Sequence, residues 1–115
     1  MKKYWVKKWV KALRSGKYKQ GRYCLRQDDE YCCLGVLCEV AGLKGRKMPS
    51  ALNDRYYRYG QECAITFLPD FVRKKVGMKS GNGTFGKNDL VCINDDSTSS
   101  FEEIANIIEQ NEDIL

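Results

Sequence analysis

The chain has 115 residues, of which 43% are apolar and 30% charged, with a formal net charge of +5; these proportions suit one folded domain with a modest core and exclude a mainly disordered chain. It contains no histidine, which excludes Cys-His and Ser-His-Asp catalysis, histidine acid–base work and zinc sites that need an imidazole. The charge is divided: residues 1–26 carry ten Lys/Arg and no acid, and residues 88–115 carry eight Asp/Glu and no base, so either the two ends pack on each other or the basic end meets an anionic partner.

Residues 3–15 predict an amphipathic helix. Trp5, Val6, Trp9, Val10, Ala12 and Leu13 share one broad face, Lys3, Lys7, Lys11 and Arg14 the other, and Gly16 stops it. The two Trp read as core anchors rather than as a membrane-surface stripe. Residues 15–22 form a basic, glycine-bracketed loop, and residues 23–27 alternate as a short strand. Asp28, Asp29 and Glu30 turn the chain and put negative charge near the positive end of the next helix.

That next segment, Tyr31-Cys32-Cys33-Leu34-Gly35-Val36-Leu37-Cys38-Glu39-Val40-Ala41-Gly42, is broken by only one charge and is apolar on every side of a helix. It predicts a buried central helix with Gly42 as its left-handed stop. No apolar run approaches the roughly 20 residues that span a bilayer, and the first residues lack a signal peptide's continuous apolar stretch. The expectation is a cytoplasmic protein that does not engage a membrane. In a reducing compartment the six cysteines, at 24, 32, 33, 38, 63 and 92, are expected to be mostly buried free thiols.

A loop over residues 43–50 leads into residues 51–60, which are dense in Tyr and Arg. Residues 63–68 predict a buried strand, and residues 68–77 a short helix with Pro69 in its first turn and Gly77 at its stop. The glycine-rich residues 80–88 lack the Walker spacing and predict a hairpin connection. Residues 89–93 predict a strand ended by Asn94, Asp95 and Asp96. Capping-box spacings from Ser99 to Glu102 and Ser100 to Glu103 open a last helix on Phe101, Ile104, Ala105, Ile107 and Ile108. The expected fold is α+β: a single compact domain over residues 1–115, with a small, mostly antiparallel sheet and about four helices around the buried central one.

Chemistry is weighed against binding from the same residues. Cys32, Cys33 and Cys38 lack the Cys-x-x-Cys spacing of structural zinc sites, so no metal ligand, cofactor or catalytic residue is assigned. Arg14, Lys17, Lys19, Gln20 and Arg22, with Tyr18 among them, supply flexible and forked donors that suit phosphate oxygens. Arg55, Tyr56 and Arg58 supply planes that stack on a base. These nine residues form the candidate ligand site. Its expected partner is an anionic small molecule such as a nucleotide, with a nucleic acid or another protein as other classes. Asp95 and Asp96 offer oxygens for a divalent cation, although Asn and Asp are ordinary turn formers there. The charge asymmetry also suits a head-to-tail or symmetric dimer.

Three blocks carry a resemblance. They are Ala12-Leu13-Arg14-Ser15-Gly16-Lys17-Tyr18-Lys19-Gln20, then Tyr31-Cys32-Cys33-Leu34-Gly35-Val36-Leu37-Cys38, then Ile93-Asn94-Asp95 with Ser100-Phe101-Glu102-Glu103-Ile104-Ala105. Together they resemble a family of small, uncharacterised proteins encoded by bacteriophages, in which the last block usually reads Leu-Asn-Asp. The resemblance covers the chain except about residues 43–60. It implies a phage accessory protein in the host cytoplasm, acting on host machinery or immunity by binding. Three functions follow as expectations: a non-enzymatic binder of an anionic ligand such as a nucleotide immune signal, a protein-interaction module that inhibits a host enzyme, and a small metal-dependent phosphodiesterase using Asp95 and Asp96.

Overall fold

In the computed structural model, which describes residues 1–49 and 54–115, the first helix is α1 (Lys3–Arg14), and its predicted stop Gly16 has φ +75°. Val6, Trp9, Val10 and Leu13 are its buried residues. Trp9 is 0% exposed and its indole Nε1 donates to the carbonyl of Cys33 at 2.8 Å, so the ring is buried without stranding its one polar atom. This joins α1 to the central helix α2 (Cys33–Val40).

The central helix is buried over Cys33–Cys38 and Gly42 ends it at φ +90°, as its composition predicts. Its N-terminus departs from expectation. Asp28 and Asp29 form the loop between the two-residue strands β2 (Arg26–Gln27) and β3 (Glu30–Tyr31), with Asp28 at φ 53°, and no acid lies in the first turn of α2. The cap is Cys32, whose Sγ accepts from the Gly35 amide at 3.4 Å. The helix can approach this closely because residue 35 is glycine: a Cβ there would lie 1.9 Å from the Leu25 carbonyl oxygen.

The strand β1 (Lys19–Gln20) pairs parallel with β3, and β2 pairs antiparallel with it. Two further antiparallel pairs join β4 (Arg46–Lys47) to β5 (Tyr57–Arg58) and β6 (Thr84–Phe85) to β7 (Asn88–Asp89). The last pair is a hairpin within the glycine-rich loop, turned at Gly86 with φ 62°. The helices α3 (Asp70–Val76), α4 (Leu90–Asp95) and α5 (Phe101–Gln110) complete the chain. The fold is α+β, with five helices among the described residues and small, mostly antiparallel sheets. A radius of gyration of 13.0 Å matches the roughly 13 Å expected of one compact body of this length.

Three predicted strands change. Residues 89–93 are not a strand: the Asp89 carboxylate accepts from the Cys92 amide at 2.8 Å and starts α4, burying Leu90 and Asn94 at helical spacing. A short apolar run does not by itself distinguish the two structures. Residues 63–68 are a bend carrying one isolated bridge, between Tyr59 and Ala64, and Cys63, Thr66 and Phe67 are exposed. Cys63 sits at φ 54°, which breaks the extension. Of residues 23–27 only the last two are strand, because Tyr23 takes φ 74°. The start of the Tyr/Arg segment, residues 51–53, lies outside the described residues, as does residue 50.

The two charged ends meet. α1 packs on α5, and Arg14 reaches Glu102 at 3.3 Å, Glu109 at 2.7 Å and the side-chain oxygen of Asn106. The hydrogen bond with Glu109 raises the Arg14 pKa above its ordinary value. Part of the charge asymmetry is therefore satisfied within the fold.

Candidate functional site

One residue organises the ground beneath the site. Asn94 is the only buried polar or charged residue among those described, at 0% exposed. Its Oδ1 accepts from the Cys33 amide at 3.0 Å and from Gln20 Nε2 at 3.3 Å, and its Nδ2 donates to the Gly21 carbonyl at 2.9 Å and to Asp95 at 3.3 Å. A buried amide is tolerated when its capacity is used in this way. Asn94 thus ties α4 to the first turn of α2 and to the end of β1, which holds the basic loop in place.

The loop's cations divide by what they touch. Arg22 donates to the carbonyls of Asp96 and Ser99, Lys19 lies 3.8 Å from Glu30, and Gln20 is taken by Asn94. Arg55 pairs with Asp28 at 3.0 Å. Tyr56 is half-buried and bridges Gln27. Arg58 stands in β5, with its Nε buried and without a hydrogen-bond partner. Lys17 and Tyr18 line a surface groove of about 340 Å³ with Lys8, Lys11, Ser15 and Val40. That volume lies within the range of small-molecule sites.

The groove is basic throughout. Lys8, Lys11 and Lys17 line it with no carboxylate among its lining residues. The Ser15 hydroxyl donates to the Ala12 carbonyl at 2.6 Å and accepts from the Lys17 amide at 3.1 Å, which shapes the turn out of α1. Lys17 Nζ lies 5.6 Å from the centre of the Tyr18 ring. Tyr18 meets Tyr31 edge to face at 5.2 Å, and Arg26 lies over Tyr31 at 4.9 Å and over Tyr57 at 3.7 Å. This ladder links the basic loop to the Tyr/Arg segment through Tyr57 rather than through Arg55, Tyr56 or Arg58. Lys8, Lys11 and Ser15 were not among the nine candidates, yet with Ala12 they stand at i, i+3, i+4 and i+7 on one stripe of α1. That spacing was the available signal.

A larger cleft of about 550 Å³ is lined by Leu43, Gly60, Gln61, Glu62, Asp70 and Phe71. Its lining carries two carboxylates, Glu62 and Asp70, whereas the smaller groove's lining carries none.

The cysteines divide by exposure: Cys24, Cys32, Cys33 and Cys38 are buried, and Cys63 and Cys92 exposed. Burial pushes the Cys32 thiol up to about 12 and raises Cys33 and Cys38 well above the ordinary value, so these thiols stay protonated at neutral pH. Among the described residues no three His, Cys, Asp or Glu side chains cluster to hold a metal. Asp95 accepts from the Tyr23 amide at 2.8 Å, and Asp96 accepts from the Thr98 amide and hydroxyl at 2.9 and 2.8 Å; the Thr98 amide is the main cause that lowers the Asp96 pKa. No helix among the described residues is long and apolar enough to cross a membrane.

A family model described as Domain of unknown function (DUF8296) matches residues 1–112, and the chain belongs to that family. No curated protein and no solved structure matches the chain.

Proposed function

We propose that this member of the DUF8296 family is a non-enzymatic protein that binds an anionic ligand, a nucleotide foremost, in the groove between α1 and the loop that follows it. The observation that carries this reading is the groove itself: Lys8, Lys11 and Lys17 line one concavity with the Tyr18 ring and no carboxylate. Ammonium groups gathered on one side of a low-dielectric wall attract and retain phosphate oxygens. The resemblance to phage-encoded proteins gives the reading its setting, in which the protein sequesters a nucleotide signal of host immunity or otherwise modulates the host. Asp95 is engaged by the Tyr23 amide across the fold and Asp96 by the Thr98 amide and hydroxyl, which favours binding over metal-assisted cleavage.

The test is retention. The purified protein is incubated with cyclic and linear nucleotides, washed and denatured, and the released small molecule is identified by mass spectrometry. Intact nucleotide is expected, and Lys11→Glu combined with Lys17→Glu should abolish retention while leaving the circular dichroism and melting temperature unchanged. Cleaved nucleotide would replace this reading by the phosphodiesterase one. No retained nucleotide, together with a host enzyme inhibited by the protein, would replace it by the protein-interaction module.

A further inference from the structure

The pattern of residues that lines the groove extends past Lys8. The same stripe of α1 continues toward its N-terminus to Tyr4, with Tyr4, Lys8, Lys11 and Ser15 at i, i+4, i+7 and i+11. Lys8 Nζ lies 5.0 Å from the centre of the Tyr4 ring and 5.9 Å from that of Trp5. Lys75 of α3 donates one Nζ hydrogen to the Ala41 carbonyl at 2.8 Å, which leaves two, and lies 5.3 Å from the Trp5 ring and 5.5 Å from the Phe71 ring. Beyond the groove, ammonium groups and aromatic rings therefore alternate: Tyr4, Lys8, Trp5, Lys75, Phe71. Tyr4 and Phe71 are each 59% exposed, which leaves ring surface open.

We propose that this ridge and the groove together form one binding strip for a single-stranded nucleic acid, with phosphates held by Lys8, Lys11, Lys17 and Lys75 and bases stacked on Tyr4 and Phe71. The inference deepens the anion-binding reading and rests on it. Proteins that bind single strands combine a basic track with aromatic platforms, because every base has a stacking face while every linkage carries a charge. From Tyr4 to Ser15 the stripe runs about 16 Å along the helix, the span of four to five stacked nucleotides at about 3.4 Å each. The strip has a natural end. Past Phe71 the surface turns acidic at Asp70 and Glu62, which line the larger cleft and would repel a continuing backbone.

Two other partners fit less well. A membrane-surface helix needs its aliphatic face free to enter the lipid boundary, and Val6, Trp9, Val10 and Leu13 are committed to the core. An acidic protein segment would use the lysines but has no use for alternating rings.

The experiment is fluorescence anisotropy with labelled decathymidylate, with unlabelled AMP as the mononucleotide probe and a duplex of equal length as control. Decathymidylate should bind more tightly than AMP or duplex, with a log–log salt slope of about −2 to −3 for three or four phosphate contacts. Tyr4→Ala and Phe71→Ala should each weaken decathymidylate about tenfold while leaving AMP and the melting temperature unchanged. Lys11→Glu with Lys17→Glu should weaken both ligands. If AMP binds but decathymidylate binds no better, the strand inference falls and the groove reading stands. If the duplex matches the single strand, or the two ring variants change nothing, stacking is absent and the inference also falls. Binding to phosphatidylserine vesicles without binding to decathymidylate would reassign the strip to lipid. If neither AMP nor decathymidylate binds, both readings fall together.

Discussion

The two flanks of α1 use the same kind of charge to opposite ends. On one flank Arg14 is held by Glu102, Glu109 and Asn106 of α5, so its charge helps close the fold. On the other, Lys8, Lys11 and Lys17 line a groove without a carboxylate, so their charge remains available to a partner. The difference follows residue type in part. Arg22, Arg26, Arg46, Arg55 and Arg73 each hold a carbonyl, carboxylate or ring inside the molecule. A planar fork with fixed donors suits such internal positions, whereas a mobile, strongly hydrated ammonium suits a surface that waits for an anion. Net charge over residues 1–26 therefore overstates the charge left to the surface, and residue type is only a partial guide, since Lys19 pairs with Glu30 and Lys75 and Lys79 donate to the carbonyls of Ala41 and Asp113.

If that division is right, changes beneath α1 should alter stability and changes in the groove should alter affinity. The largest effect is expected at Gly35. The Cβ of Gly35→Ala would meet the Leu25 carbonyl oxygen at 1.9 Å, and backbone cannot yield as a side-chain tip does. A loss of about 3 kcal/mol or more is expected, read by urea unfolding; a loss under about 1 kcal/mol would show that α2 moves freely against the sheet. Asn94→Ala comes next. It strands the Cys33 amide and the Gly21 carbonyl in a buried place, at about 1–3 kcal/mol for each unpaired group. Retained stability would mean that water replaces the amide.

Alkaline pH tests the buried thiols. The Cys32 thiol is raised from 9.0 to about 12, so below about pH 9 it is neutral in both folded and unfolded chains and its contribution to stability is complete. Above that the unfolded chain ionises first, and stability falls as pH rises from 9 toward 12, by up to about 1.4 kcal/mol per pH unit for this group. Cys33 and Cys38 shift in the same direction. Urea midpoints between pH 7.5 and 10.5 should decline, and less steeply in Cys32→Ala. A flat profile would show that these thiols are not desolvated.

The long helices were legible because their burial repeats at the helical period: Trp9 and Leu13, or Ile104 and Ile108, recur at one turn. The strands were not, because two residues carry no period to read, and Leu90-Val91-Cys92-Ile93 fits either element until Asp89 caps it. Tyr23, Asp28 and Cys63 take left-handed backbone that residue type alone does not announce. Of the groove's seven lining residues, only Lys17 and Tyr18 are among the nine candidates. The loop with Lys17 and Tyr18 stood out by composition, but the partners of Arg14, Arg22 and Arg55 lie 95, 77 and 27 residues away or thereabouts, and only the fold shows which cations they remove.

The smallest effects separate the two flanks most cleanly, because they compare two neighbouring cations on one helix. Lys11→Gln removes one ammonium from the groove and leaves every described hydrogen bond of the core in place. It should weaken nucleotide binding several-fold, more at low salt than at high, with an unchanged melting temperature. Arg14→Gln removes the link to α5 while leaving the groove lining intact. It should lower the melting temperature slightly, as exposed ion pairs contribute little, and leave nucleotide affinity as it was. Isothermal titration at two salt concentrations, paired with thermal melts of both variants, reads all four outcomes. Equal losses of affinity in the two variants would mean that the ligand responds to the net charge of α1 rather than to the groove. In that case Lys8, Lys11 and Lys17 would lose their separate standing as a site.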